Sequence, residues 1–264
     1  MGQATHSGTA AAGITLHTEG AVATLVIDLP QPKNSFRTEN AQALGAQLDA
    51  ALAGGARCVV LRGAGPVFSA GWDISSIDPA GDDPMAMIGQ VVGPLCRKLR
   101  ELPVPTLAAV AGPALGFGFG IALCCDLVLA EEGALFGSPF RHIGMVPDTG
   151  AHHHLLSRIG FARASELIYT GRLVSGTEAA ALGLINRAVP AGSLLAEAQT
   201  LAAGIASGPT RAFALSKEVL LDGGDFDAML AHEARQLKQV FATADLHEGI
   251  QAFQQRRKPA FTGR

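Results

Sequence analysis

The feature that most restricts what this chain can fold into is a short apolar run that passes straight into a turn dense with glycine: Ala109-Val110-Ala111-Gly112-Pro113-Ala114-Leu115-Gly116-Phe117-Gly118-Phe119-Gly120. An apolar run this short, closed by glycine and proline, predicts a strand buried on both faces. The glycines after it let main-chain N–H groups approach a neighbour closely. The helix expected from Gly116 to Leu123 adds unpaired N–H donors and the positive end of its dipole. A second segment, Val67-Phe68-Ser69-Ala70-Gly71-Trp72-Asp73-Ile74, repeats the arrangement with small residues at a sharp turn.

The rest of the first half agrees with that pattern. Gly20–Leu29, Cys58–Arg62, Thr106–Ala111 and Asp126–Ala130 read as strands, and Pro30 and Pro32 close the first. Thr38–Ala53 and Met85–Leu102 carry apolar residues at helical spacing. Alternating strands and helices predict an α/β fold with a largely parallel sheet. After Gly150 only helical segments remain, at 152–159, 162–169, 177–182, 193–207, 209–221, 226–243 and 246–257. The expected organisation is a small, polar, disordered stretch at 1–13, an α/β core at 14–195 and a helical C-terminal region at 196–264.

Composition narrows the function. The 264 residues carry a net charge of −3, and the basic residues are dispersed except near the C-terminus, so nucleic acid is not an expected partner. No apolar run approaches the ~18–20 residues that span a bilayer, so no membrane is expected either. The first residues lack a signal-peptide layout, which predicts a cytoplasmic protein. The adjacent Cys124 and Cys125, with Cys58 and Cys96, read as buried thiols rather than disulfides or metal ligands.

Two glycine-rich turns of this kind can converge on one oxygen as an oxyanion hole. The Gly116-x-Gly118-x-Gly120 spacing does not match a dinucleotide fingerprint. Four ordered segments carry a more specific signal: FSAGWDI at 68–74, AVAGPALGFGFGIALCCDL at 109–127, FGSPFRHIGMVPDTG at 136–150, and the ending from Glu248 to Phe261. Together they resemble the enoyl-CoA hydratase/isomerase (crotonase) superfamily over nearly the whole chain from about Gly20. The resemblance implies a crotonase-like fold, a repeated ββα core with mostly parallel sheets, acting on acyl-CoA thioesters. It implies no cofactor, since coenzyme A is part of the substrate. It also implies a homotrimer or a dimer of trimers joined through the C-terminal helices.

The same resemblance assigns the oxyanion-hole N–H groups to Trp72 and Phe117. Substrate-binding positions implied by it are Lys33, Ala70, Asp73, Ile74, Gly116, Phe140, Phe253 and Arg256. The basic end at Arg256-Arg257-Lys258 also reads as a solvated helix terminus. At Phe117 the common glycine is missing. Only the N–H is needed there, provided the backbone does not require a positive φ.

The two glutamates of family hydratases fall at Gly120 and at Phe140, the latter expected in a strand after the Phe136-Gly137 pair. Neither side chain transfers a proton, so two-glutamate hydration is not expected. Asp148 remains, at a Pro-Asp-x-Gly position where the family's single-carboxylate isomerases carry their base. As a residue following proline before a helix, it also reads as an ordinary N-cap. The expected activity is a double-bond shift by proton transfer at Asp148. The alternatives are hydration or another enolate chemistry with a histidine base (His142, His152, His153 or His154), or acyl-CoA binding without turnover. Three histidines in succession cannot converge on one metal from a helix.

Overall fold

A computed structural model describes residues 6–7 and 11–264. Its first strands are β1 (His6–Ser7), β2 (Ile14–Glu19) and β3 (Val22–Ile27), followed by helix α1 (Thr38–Ala53) and strand β4 (Cys58–Gly63). A short helix α2 (Pro84–Met87) runs through a π-turn at Ile88–Val92 into α3 (Gly93–Glu101). Then come β5 (Thr106–Val110), β6 (Pro113–Leu115), α4 (Phe117–Cys124), β7 (Leu127–Glu131), β8 (Leu135–Gly137) and α5 (Ala151–Thr170). The chain ends with β9 (Val174–Ser175), α6 (Gly176–Leu182), β10 (Arg187–Val189), α7 (Leu194–Ala206), α8 (Thr210–Asp222), α9 (Phe226–Val240) and α10 (Ala244–Gln254).

The main sheet has the order β1-β2-β3-β4-β5-β7-β10. Its first three strands pair antiparallel, and β3, β4, β5, β7 and β10 pair parallel. Strand β5 (TLAAV) is buried at every position, as expected of a strand covered on both faces. One face packs on α1, α3 and α4 around Leu25, Leu44, Leu48, Leu61, Leu99 and Ile121. The other packs Val22, Val60, Leu107 and Leu129 against Leu194, Ala198, Ala202 and Ala206 of α7. A small second sheet, β6-β8-β9, lies beside the first.

Helix α4 is central. All eight of its residues are buried, which an apolar helix without a polar face requires. Its placement fixes the site, because its N-terminus meets the turn before α2 and its C-terminus meets α5.

Four expectations change. Strands β9 and β10 lie beyond Gly150, where only helices are expected, because each is fixed by pairing with a strand already in place. Helix α7 covers the sheet, so by packing the core extends to about residue 206 rather than ending at 195. Strand β1 pairs with β2, and Ala11 bridges Ile14 in a tight turn, so those parts of the 1–13 stretch are ordered; residues 1–5 and 8–10 lie outside the described residues. The helices expected at 152–159 and 162–169 are one element, α5, broken at Gly160 with φ 76° and ψ 168°. Among the described residues, no helix is long and apolar enough to cross a membrane.

Candidate active site

The site is built where two turns abut. Phe36 N–H donates to Gly71 C=O (2.7 Å) and Asp73 N–H to Phe36 C=O (2.9 Å), which holds the first turn as a short parallel bridge. The N–H of the residue between, Trp72, has no acceptor among the described residues. Ser69 C=O accepts from Leu115 N–H (2.9 Å), tying the first turn to the second. Gly71 sits at φ +104°, and a Cβ there would lie 2.8 Å from Leu115 O and 3.3 Å from the Phe117 nitrogen. The two main chains therefore run within contact distance, and only glycine fits between them.

Phe117 is the first residue of α4, so its N–H is one of the helix's unpaired donors. The left-handed backbone falls on Gly116 at φ +52°, not on Phe117, which is why a phenylalanine is tolerated in place of glycine. The Phe117 ring is buried and packs on Phe36 (centroids 5.0 Å apart) and edge-on to Trp72 (5.2 Å). Phe140 lies in a 3-10 turn, Phe140–Ile143, and not in a strand as expected. Its ring covers Gly116, where an added Cβ would approach Cε1 to 2.9 Å. The mouth of the site is thus walled by aromatic rings.

At Gly120 a Cβ would lie 2.4 Å from Thr149 Cβ, so there is no room for a carboxylate side chain on this face of α4. Thr149 itself, at φ 56°, is held in the left-handed region. Its hydroxyl donates to Asp148 Oδ1 (2.7 Å). The carboxylate of Asp148 is not a helix cap: Gly150 is the N-cap of α5, with no side-chain bond, and Asp148 contributes only its carbonyl, to Ala151 N–H (2.9 Å). The N-cap reading is therefore set aside. Burial pushes the Asp148 carboxyl above its ordinary range, opposed by the Thr149 hydroxyl and a main-chain hydrogen bond.

The other expected positions divide. Lys33 C=O accepts from Ala70 N–H (2.9 Å), which places Lys33 against the first turn. Asp73 is occupied: its carboxylate accepts from Arg37 (2.7 and 2.8 Å) and from Ser75, which fixes the loop leading to Ile74. Ile74 is exposed. Phe253, 86% exposed, and Arg256 lie at the end of α10 and share no hydrogen bond with the two turns among the described residues. Arg257 pairs with Glu248.

Of the histidines, His142, His152 and His153 are exposed, whereas His154 is buried against Cys124 (Nε2 to Sγ 3.5 Å). Burial, then Arg158, His153 and Arg100, push His154 down to about 3, so it stays neutral and weakly basic. All four cysteines are free.

Sequence reasoning missed two groups. Ser138, 8% exposed, has a buried hydroxyl without a partner among the described residues. It follows Gly137, whose carbonyl accepts from Gly116 N–H (2.9 Å), so a polar ligand atom at this turn would satisfy it. Arg158 donates to Leu123 C=O (2.7 Å) and Leu184 C=O (3.0 Å), closing the C-terminal end of α4. A serine in a turn or an arginine in a helical stretch gives no signal of such long-range contacts.

Comparison with known proteins agrees with this geometry. The family profile for enoyl-CoA hydratase/isomerase matches residues 17–264. The chain is 36% identical over 245 residues to a Rhodobacter capsulatus protein named "Probable enoyl-CoA hydratase", covering 92% of this chain and 95% of the relative. It is 34% identical over 258 residues to the Escherichia coli 1,2-epoxyphenylacetyl-CoA isomerase, covering 95% and 98%. A solved Bacillus anthracis enoyl-CoA hydratase superposes with a TM-score of 0.88 at 31% identity, over 96% of this chain and 100% of that one. With the motifs, the fold and these likenesses in agreement, the chain belongs to the enoyl-CoA hydratase/isomerase family.

Proposed function

We propose that the protein is a single-carboxylate enoyl-CoA isomerase. The observation that carries the reading is the pair of unaccepted amides, Trp72 and Phe117, on two abutting turns, with the half-buried Asp148 as the carboxylate of the site and no hydratase carboxylate at Gly120 or Phe140. The thioester oxygen of the substrate accepts from both N–H groups. Asp148 removes a proton from C2, the electron pair moves through the C3–C4 double bond as a dienolate, and the amides hold the charge on oxygen. The same carboxyl returns the proton to C4, leaving the double bond between C2 and C3. No redox partner enters this balance, so the proposal needs no cofactor beyond the coenzyme A of the substrate.

Burial suits Asp148 to the task, since a carboxyl raised above its ordinary range is a stronger base once ionised and keeps the proton it has taken until C4 receives it. The aromatic walls keep out the water that hydration requires. Lys33, Ala70, Asp73, Ile74 and Gly116 line or support the entrance on the proposed coenzyme A side. Phe253 and Arg256, remote in one chain, would serve a neighbouring subunit in a homotrimer or dimer of trimers. Exposed apolar residues on the C-terminal helices, including Leu220, Leu237, Phe241 and Ile250, support that assembly.

Relatives carry both hydratase and isomerase names, so the choice rests on the residues of this site. The test is conversion of a 3-enoyl-CoA to the conjugated ester by wild type and Asp148→Asn. A loss of ~10²–10⁴ in kcat is expected; equal rates would remove Asp148 from the mechanism.

A further inference from the structure

Thr149 holds a conformation that its own side chain resists. A β-branched residue at φ 56° is a backbone outlier. Such strain persists only where the surroundings over-determine it. Thr149 is 3% exposed and is held from three sides. Its hydroxyl donates to Asp148 Oδ1 (2.7 Å). Its side chain fills the notch left by Gly120, where an added Cβ would lie 2.6 Å from Thr149 Cγ2. Cys124 Sγ lies 4.0 Å from its carbonyl oxygen.

The notch matters because of where it sits. Gly120 is three residues, and about 4.5 Å along the axis of α4, from the Phe117 amide. Gly118, about 200° around the helix from Gly120, takes Ser69 in the same way, with an added Cβ 2.6 Å from Ser69 Cβ. The first turn of α4 is thus gripped on one side by the segment that carries Trp72 and on another by the segment that carries Asp148.

The hydroxyl acts on charge as well as place. Burial raises the Asp148 carboxyl, and the Thr149 hydroxyl, ahead of a main-chain hydrogen bond, lowers it. A donor to the ionised form favours that form. The titratable groups on the neighbouring elements are Cys96 of α3, Cys124 of α4 and His154 of α5. Cys96 is pushed up by its hydrogen bond to Cys124, then burial, then the charges of Cys124 and Asp148, and His154 is pushed down to about 3. Arg141 and His142 turn instead toward Gly171, and Arg141 donates to the Tyr169 and Thr170 carbonyls (3.0 and 3.2 Å).

We infer that Thr149 is a positioning residue. Its left-handed backbone, seated on Gly120, sets the Asp148 carboxylate beside the first turn of α4, and its hydroxyl favours the ionised form that takes a proton. The inference rests on the isomerase reading for what Asp148 does with that proton, but its direct test does not need turnover.

Two arms test it. In the first, the full chain is labelled with carboxyl-13C aspartate and titrated by NMR, with the Asp148 signal assigned by its loss in Asp148→Asn. Thr149→Val keeps the branched shape without the hydroxyl, and its Asp148 midpoint is expected at higher pH than in wild type. Thr149→Ala carries the same expectation if Thr149→Val does not fold. Thr149→Ser, which keeps the hydroxyl, is expected to return the midpoint to its wild-type place. An unmoved midpoint without the hydroxyl, or an equal shift in Thr149→Ser, overturns the inference. In the second arm a 3-enoyl-CoA is assayed for isomerisation. Thr149→Val is expected to lower kcat by about tenfold with KM little changed, and the acid limb of kcat/KM to follow the NMR midpoint. A raised KM with kcat unchanged would make Thr149 a part of the pocket wall and overturn the inference. A shifted midpoint without turnover by wild type would leave the hold of Thr149 on Asp148 standing and defeat the isomerase reading; turnover with an unmoved midpoint would do the reverse.

Discussion

The two ends of helix α4 solve opposite problems. Eight residues long and wholly buried, it begins at Phe117 with amides that nothing accepts and ends at Cys124, with the carbonyl of Leu123 held by Arg158. A helix leaves orphan donors at one terminus and orphan acceptors at the other, and burying either without a partner is unfavourable. Here the half-buried Arg158 guanidinium holds the Leu123 carbonyl at the acceptor end, and the donor end is open. The aromatic rings of Phe36, Trp72, Phe117 and Phe140 surround the open end; the thiols, His154 and the arginines surround the closed one. The contrast teaches that the unpaired donors are not a defect of packing, since the same helix shows that the fold can pair its ends.

The largest effect should come from breaking the open end. Gly71→Ala places a methyl 2.8 Å from Leu115 O and 3.3 Å from the Phe117 nitrogen, at a φ that alanine resists. Loss of one oxyanion donor's alignment is expected to lower kcat by ~10²–10³, measured by isomerisation of a 3-enoyl-CoA at saturating ester. Restoring the hydratase carboxylate on the same face should fail in a different way. Gly120→Glu meets Thr149 at once, so it should destabilise the fold by roughly 1–3 kcal/mol and yield no hydration of a 2-enoyl-CoA; denaturant unfolding and a hydration assay check both halves.

Breaking the closed end should act on stability instead. Arg158→Leu leaves the carbonyls of Leu123 and Leu184 without their donor, and a loss of about 2 kcal/mol is expected, with kcat nearly unchanged in protein that remains folded. A large fall in kcat with intact stability would show that the two ends are not separable.

The pH dependence sharpens the same contrast with the smallest effect. Asp148 is the carboxyl between the two ends, and its folded-state pKa is raised. The active base is the ionised form, so kcat/KM should fall as pH drops through a value above the ordinary carboxylate range, and Asp148→Asn should lose that limb. For stability the sign is the reverse of a salt-bridged carboxylate. A raised folded pKa means ionisation disfavours the folded state, so the penalty is present at neutral pH, is relieved as pH falls through the folded-state value and is gone below the unfolded-state value. Asp148→Asn should therefore raise the melting temperature at neutral pH, with the gain disappearing in acid.

Much of this organisation is legible in the sequence, for identifiable reasons. The long amphipathic helices and the buried strands announce themselves by period. The turns at 68–74 and 112–120 announce themselves by glycine, because glycine suits the φ of +104° at Gly71 and the pairing of φ 52° with ψ −117° at Gly116. Strands β6, β8 and β9, of two or three residues, carry no period and are fixed only by their neighbours. Phe140 sits in a turn rather than a strand because Pro139 ends β8's run. Asp148 has the spacing of a cap, but the left-handed backbone of Thr149 and Gly150 turns its carboxylate away from the helix. The partners of Arg158 and Ser138 lie far away in the chain or are absent among the described residues, and spacing alone says nothing of them.

The most direct measurement is the carbonyl stretch of a bound acyl-CoA labelled at the thioester carbon, read by isotope-edited infrared spectroscopy. If the amides of residues 72 and 117 both donate to that oxygen, the band shifts to lower frequency on binding to wild type and moves back toward its value in water in Gly71→Ala. A band at or above the aqueous frequency in wild type, from ester shown to be bound, would contradict the account.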